Sequence, residues 1–199
     1  MATRITQSLL SAFRFTFLRE DGYDDFLKTL NRIKEPPSDA MRMGMEFEGL
    51  INAALDGTPP PSDHKWFEQV TWCADYLNGS QKQVLLTKPL VVDDEELLLV
   101  GVLDFLRAGR IFDTKFSARY SSHQSANYYL GSPQHSAYFR LVEEAKSFEY
   151  IICDGSYIYR ESYTPDETTP IEYYIHNFLQ FVKLHGLYET YKEKWEVTN

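Results

Sequence analysis

The chain has 199 residues, 43% of them hydrophobic and 15% aromatic, which suits one packed domain and excludes an intrinsically disordered chain. A net charge of −9 is unfavourable for a protein that coats nucleic acid, but it is compatible with an enzyme that has a local basic groove. No apolar run approaches the ~20 residues that span a bilayer. The two cysteines, Cys73 and Cys153, are too few for an iron–sulfur cluster, and both lie among apolar residues in the sequence. We therefore expect a reduced, cytoplasmic protein with both cysteines in its core.

Four helices are predicted for the first part of the chain. Each apolar stretch with helical spacing follows a residue that can cap a helix, and prolines or a glycine separate some of the stretches. The predicted helices cover residues 7–17 after Thr6, 25–33 after Asp24, 40–55 after Ser38 and 64–77 after Ser62.

From residue 82 the apolar pattern becomes that of strands. Turn residues at Asp93-Asp94 and Ala108-Gly109 divide this part of the chain into three apolar segments, over 82–92, 96–107 and 110–117. We therefore expect an antiparallel meander of three strands.

The rest of the chain adds a helix, a hairpin and a second helix. The predicted elements are a helix over 134–145 capped by Ser132, a hairpin over 148–163 that turns at Asp154-Gly155, and a long helix that begins at a capping box over 169–172 and is interrupted or bent near Gly186. This order predicts an α+β fold with an α/β-type core, in which helices flank a central mixed sheet that contains the antiparallel meander.

The hairpin formed by the second and third strands carries charges in apolar surroundings. A two-residue turn at Ala108-Gly109 would place Asp104 opposite Asp113, with Cβ atoms about 4.5–5.5 Å apart. Two carboxylates at that distance repel each other unless a cation lies between them, and such oxygen ligands suit Mg²⁺ or Mn²⁺. Lys115 shares a face of its strand with Asp113. A three-residue loop would shift the register, and the alternative is a solvent-facing hairpin in which Lys115 pairs with the carboxylates.

The third predicted helix carries a glutamate among apolar residues. Helical spacing places Glu48 on one face with Met41, Met45, Ile51 and Leu55. We therefore expect its carboxylate to point towards the core, the alternative being a glutamate at the edge of the helix. Arg42 lies one turn before Glu46, and these two can form a surface ion pair.

The helix capped by Ser132 begins with two further candidates, Gln134 and Tyr138, one turn apart. Free backbone N–H groups at a helix start favour phosphate, and the alternative is a surface amide with a half-buried aromatic ring. The five histidines show no metal-ligand spacing, and we expect them at the surface or at helix edges: His64, His123, His135, His176 and His185.

The segments GMEFE, GVLD, DTK and QHSAY together resemble the motifs of the RecB-like branch of the PD-(D/E)XK nuclease superfamily, and the first is closer to phage-type exonucleases. That family has a helical Glu or His four residues after a glycine, then G-x-x-D, (D/E)-x-K and Q-x-x-x-Y. The matching residues are Gly44 and Glu48, Gly101 and Asp104, Asp113 and Lys115, and Gln134 and Tyr138. The match covers about residues 38–154, with the motifs in the family's order.

The resemblance implies a deoxyribonuclease that hydrolyses phosphodiester bonds with one or two Mg²⁺ or Mn²⁺ ions. The implied metal ligands are Asp104, Asp113, the backbone carbonyl of Thr114, and Glu48. Lys115 would orient the attacking water or stabilise the phosphate. The residues implied to contact DNA, or to brace the site, are Gln134, Tyr138, Arg42 and Arg119.

The resemblance also implies an organisation and partners. It implies one nuclease domain over 1–199, with N-terminal helices over 1–37, a motif-bearing core over 38–154, and a hairpin strand and C-terminal helix over 155–199. A nuclease of this size resembles phage or prophage exonucleases of recombination and repair, which work on DNA in the bacterial cytoplasm, commonly as rings and beside a single-strand annealing protein. Two alternatives stay open: an inactive DNA- or protein-binding module that retains this fold, and an acidic interaction protein.

Overall fold

The computed structural model describes residues 2–118, 120 and 128–197 of the chain. Over these residues the fold is α+β, with one mixed six-stranded sheet and seven α-helices around it, as predicted. The strands are β1 (Thr3–Thr6), β2 (Gln81–Val92), β3 (Glu95–Arg107), β4 (Arg110–Phe116), β5 (Ser147–Cys153) and β6 (Ile158–Tyr163). The helices are α1 (Gln7–Phe15), α2 (Gly22–Leu30), α3 (Asp39–Leu55), α4 (Phe67–Leu77), α5 (Pro133–Leu141), α6 (Ile171–Leu184) and α7 (Tyr188–Trp195).

The predicted antiparallel meander of β2, β3 and β4 is confirmed. Its turns are two-residue turns in which both central residues have positive φ, at Asp93-Asp94 and at Ala108-Gly109. Turns of this kind match the right-handed twist of the strands that they join. The predicted hairpin around Asp154-Gly155 is also present, as the antiparallel pair β5 and β6.

Strand β3 has different neighbours along its two edges. On one edge it pairs with β2 over nearly its whole length. Its other edge pairs in parallel with β1 over residues 97–100 and antiparallel with β4 over 105–107. Strand β4 then continues as the parallel neighbour of β5. Residues 101–104 therefore have no strand beside them on this edge, and β3 and β4 form a fork there.

Helices cover both faces of the sheet and form two cores. The larger core packs α1, α2, α5, α6 and α7 against one face, and the smaller core packs α3 and α4 against the other. Both cysteines are fully buried and free, and both lie in the smaller core, as expected. None of the helices in the described ranges has the combination of length and hydrophobicity that crossing a bilayer requires.

Several predicted boundaries are wrong. Strand β1 was not predicted, α4 begins at Phe67 rather than beside Ser62, and α5 ends at Leu141 rather than near residue 145. The capping box lies at Thr164 and Glu167, where the Glu167 carboxylate accepts the Thr164 N–H, and not over 169–172. The predicted interruption of the C-terminal helix near Gly186 is confirmed, because Gly186, whose φ is +69°, separates α6 from α7.

Candidate active site

Two of the predicted acidic residues, Asp104 and Asp113, lie at the fork between β3 and β4. The hairpin register is confirmed as far as the pair Phe105 and Phe112. The next pair away from the turn, Asp104 opposite Asp113, does not form, because the two strands diverge beyond the pair Phe105 and Phe112. Instead, Oδ2 of Asp104 accepts a hydrogen bond from the backbone N–H of Thr114 at 3.3 Å.

Thr114 also directs a backbone oxygen towards the fork. In an extended strand the N–H and C=O groups of one residue point to the same neighbouring strand. Since the N–H of Thr114 reaches Asp104, the carbonyl of Thr114 faces the same space. The fork therefore brings carboxylate and carbonyl oxygens together, which is the type of ligand that Mg²⁺ and Mn²⁺ prefer.

Asp113 is held from two sides. The residue is almost completely buried, at 1% exposure. Oδ1 accepts a hydrogen bond from the side-chain amide of Gln134, and Oδ2 lies 2.6 Å from the ammonium nitrogen of Lys115. The predicted proximity of Asp113 and Lys115 is therefore present, and Gln134 joins them from α5.

The electrostatics of the fork favour a bound cation. Burial, together with the negative charges of Asp113 and Glu48, raises the pKa of Asp104 to about 8, although Lys115 and the Thr114 N–H act to lower it. Burial alone would lower the pKa of Lys115, but the three carboxylates together raise it, so Lys115 stays protonated. In the absence of metal, Asp104 therefore holds a proton near neutral pH.

The side chains as they stand do not form a closed metal cage. Within the described part of the chain, no three His, Cys, Asp or Glu side chains are grouped closely enough to hold an ion together. Lys115 and Gln134 occupy the two oxygens of Asp113. The donor set fits a hard divalent cation in its chemistry, and an ion would compete with Lys115 for Asp113.

Glu48 lies at the edge of the site rather than in the core. Met41 and Met45, expected to share its buried face, are 60% and 63% exposed, so that prediction is wrong. Helix α3 buries Ile51, as predicted, together with Phe47, which leaves Glu48 half-buried beside that stripe. Its Oε1 accepts a hydrogen bond of 2.9 Å from the side-chain amide of Gln83. Its negative charge acts to raise the pKa of both Asp104 and Lys115.

Helix α5 closes the fork from the other side. Tyr138 is buried, and its hydroxyl donates a hydrogen bond of 2.7 Å to the carbonyl of Val102, so it braces the unpaired part of β3. Gly101 makes this packing possible. A Cβ atom at this position would lie 2.6 Å from Cδ1 of Leu141 and 2.9 Å from the Tyr138 ring. The glycine of the G-x-x-D motif thus has a packing role.

His135 is fully buried, contrary to the expectation of a surface position. Its Nδ1 lies 3.2 Å from the hydroxyl of Tyr150, and its ring stacks on Tyr163. Burial lowers the pKa of His135 to about 4, so the ring is neutral at physiological pH.

A cleft of about 800 Å³ opens beside Lys115 and Gln134. Helix α1 supplies much of its other wall, including Ser8, Ser11 and Arg14. This wall was not predicted, although the polar residues recur at helical spacing in the sequence. The charged residues that line the cleft are Lys115, Arg14, Arg19 and Asp25.

The other two residues predicted to contact DNA are Arg42 and Arg119. Arg42 is exposed at the start of α3, where it pairs with Asp39, so the predicted pair with Glu46 is wrong. Glu46 lies near Lys65 instead, at 3.6 Å. Arg119 lies outside the described residues.

Comparisons with known proteins inform the fold alone. No family model matches the chain, and no curated protein matches it. A solved structure described as "Crystal structure of SSO0001" is similar, with a TM-score of 0.56 and 12% sequence identity over 93% of this chain and 77% of that chain. At this identity the likeness supports the α+β architecture and carries no activity with it.

Replacing Asp104 with Asn is expected to stabilise the metal-free protein at neutral pH. Because folding raises the pKa of Asp104 from its ordinary 3.8 to about 8, the unfolded chain loses this proton first, and stability falls as the pH rises between those values. Asn removes this loss, and we expect a gain in stability of at least about 1 kcal/mol, which corresponds to a rise of at least about 2–4 °C in Tm. Thermal unfolding in EDTA at pH 7.5 and pH 4 measures it. An Asn variant that is less stable than wild type at pH 7.5 would contradict the electrostatic account.

Replacing Gly101 with Ala is expected to destabilise the protein by about 1–3 kcal/mol, because the added methyl group overlaps Leu141 and Tyr138. Urea unfolding measures the change. Gly49→Ala is the matched control: Gly49 lies within α3 with nothing within 4 Å of an added Cβ, and Ala there should stabilise by roughly 0.5–1 kcal/mol. Equal stability of Gly101→Ala and wild type would show that α5 does not need this close approach.

Proposed function

We propose that this protein is a metal-dependent deoxyribonuclease of the PD-(D/E)XK superfamily, in its RecB-like branch, and that it acts as an exonuclease of the phage or prophage type. The observation that carries the proposal is the fork itself. Asp104, Asp113 and Lys115 converge there from two strands, and the charge of Glu48 reaches them from α3. These are the positions that match three of the four family motifs.

The chemistry would divide between a divalent ion and the chain. Asp104, Asp113, the Thr114 carbonyl and Glu48 would hold Mg²⁺ or Mn²⁺, which when bound makes water more acidic and neutralises charge on a phosphate. Lys115 stays protonated among the carboxylates, so its compact ammonium can stabilise the negative charge that builds up on the phosphoryl oxygens. Gln134 orients Asp113, and Tyr138 braces β3.

The cleft beside Lys115 suits the backbone of a DNA strand. Arg14 and Lys115 line it together with the hydroxyl groups of Ser8, Ser11 and Ser132, and such groups are common partners of phosphate oxygens. Arg19 also lines it, but Arg19 already pairs with Asp25 at 2.6 Å. The cleft lining has three basic residues and one acidic residue, Asp25, and this local excess of positive charge supports DNA binding by a chain whose net charge is −9.

The wider setting follows from the motif resemblance. Three parts of the proposal rest on that resemblance alone. They are a role in recombination or repair in a bacterial cytoplasm, a single-strand annealing protein as partner, and assembly into a ring. The exonuclease activity is the part that can be tested on the isolated chain.

We expect the protein to digest linear but not covalently closed circular DNA in the presence of Mg²⁺. Asp113→Asn should lower kcat by about 10²–10³-fold, since it removes a charged group aimed at the reacting centre. Glu143→Gln is a matched control at an exposed carboxylate that pairs with Lys88. Gel assays on both DNA forms measure this. Equal activity of Asp113→Asn and wild type would refute the site, and DNA binding without digestion by wild type would favour the inactive binding module.

Mg²⁺ is expected to stabilise the folded protein. An ion that binds only the native state at 100 times its Kd adds about 2.7 kcal/mol, which for a chain of this size raises Tm by roughly 5–10 °C. The Tm of Asp113→Asn should rise far less, because that variant lacks a ligand. Differential scanning calorimetry with and without Mg²⁺ measures both. Equal shifts in the two proteins would place the ion elsewhere.

A further inference from the structure

The pairing of β2 with β3 is interrupted at one position, and this position lies opposite Asp104 of the candidate site. The β2–β3 ladder runs from Gln81 to Val92 with every residue of β2 paired except Gln83, whose partner in register is Asp104. Gln83 has a φ of +51°, in the left-handed region. The other non-glycine residues with positive φ among the described residues lie in turns: Arg32, Asp93, Asp94 and Ala108. Only Gln83 adopts this conformation within a described strand.

The strand beside Gln83 is distorted at the same position. Leu103 packs in the larger core, whereas Phe105 packs in the smaller core on the other face of the sheet. Residues two apart in a regular strand share a face. Strand β3 therefore rotates at Asp104, and the break in the ladder at Gln83 accompanies that rotation.

The left-handed backbone accompanies a specific side-chain contact. The amide nitrogen Nε2 of Gln83 donates a hydrogen bond of 2.9 Å to Oε1 of Glu48. Within the described residues, Glu48 makes no other side-chain hydrogen bond or ion pair, so its second oxygen is available to an ion. A half-exposed glutamate would otherwise sample several rotamers. Backbone strain of this kind concentrates at functional sites, where the surrounding structure maintains it.

We propose that Gln83 is a positioning residue for the metal site. Its strained backbone directs the side-chain amide to Glu48 and holds that carboxylate beside Asp104 and Lys115. The inference rests on the proposed function, because it gives Glu48 a share in binding the ion. Residues that orient metal ligands typically change metal affinity or activity by about 10–100-fold when they are replaced.

Two variants of Gln83 separate positioning from a structural role. Gln83→Gly relieves the left-handed strain and removes the amide, and Gln83→Glu keeps the length of the side chain but replaces the donor with a like charge. The matched control is Gln81→Gly, at an exposed residue on the same strand with regular pairing. Glycine in a regular strand destabilises, whereas glycine at a positive φ does not. In EDTA we therefore expect the Tm of Gln83→Gly to equal or exceed that of wild type, and the Tm of Gln81→Gly to fall.

The decisive readout is the affinity for Mn²⁺, measured by isothermal titration calorimetry on the full chain. We expect both Gln83 variants to raise the Kd about 10-fold and Gln81→Gly to leave it unchanged. In a Glu48→Ala background, Gln83→Gly should have no further effect, because its action passes through Glu48. An unchanged Kd in both Gln83 variants would overturn the inference, as would an equal additional loss in the Glu48→Ala background.

The same titration distinguishes failure of this inference from failure of the proposed function. If wild type binds Mn²⁺ and Asp113→Asn does not, the metal site stands, and the Gln83 variants test the positioning role alone. If wild type binds no Mn²⁺, both the proposed function and the role of Gln83 are refuted.

Discussion

The candidate site depends on the forced proximity of two carboxylates, one buried and one partly buried. Asp113 is buried, and burial with like-charge repulsion raises the pKa of Asp104 to about 8. One ammonium, that of Lys115, compensates only part of this charge. Such an arrangement lowers the stability of the metal-free protein, and binding of a proton or a divalent cation reduces the repulsion between the carboxylates. The fold maintains this arrangement, which is why we interpret it as functional.

The fork arises from the way in which β3 shares its neighbours. Because β1 and β4 occupy different parts of one edge of β3, a short stretch between them faces no strand. Helix α5 fills the space above it by packing Tyr138 over Gly101. Helix α3 approaches from the opposite face and brings Glu48 to the rim. Each motif therefore occupies a separate element, and the topology of the sheet brings these elements together.

Features with local causes could be predicted from the sequence. Ser132 caps α5 with its side chain, and the two-residue turn at Ala108-Gly109 sets the hairpin register. Features that depend on distant partners could not. Strand β1 has four residues and depends on β3 for its pairing, and the burial of His135 depends on tyrosines from β5 and β6. The pattern T-P-x-E occurs at 164–167 and again at 169–172, and nothing local distinguishes the one that forms the box. The motif residues were predicted from the hairpin register, from helical spacing and from the family that their motifs resemble, but the break at Gln83 leaves no signal in the sequence.

The most direct test of this account is anomalous diffraction from crystals of the protein grown with Mn²⁺. The account predicts a peak at the fork, within coordinating distance of carboxylate oxygens from both Asp104 and Asp113 and of the Thr114 carbonyl. A fully occupied Mn²⁺ elsewhere on the protein, with none touching either aspartate, would contradict it.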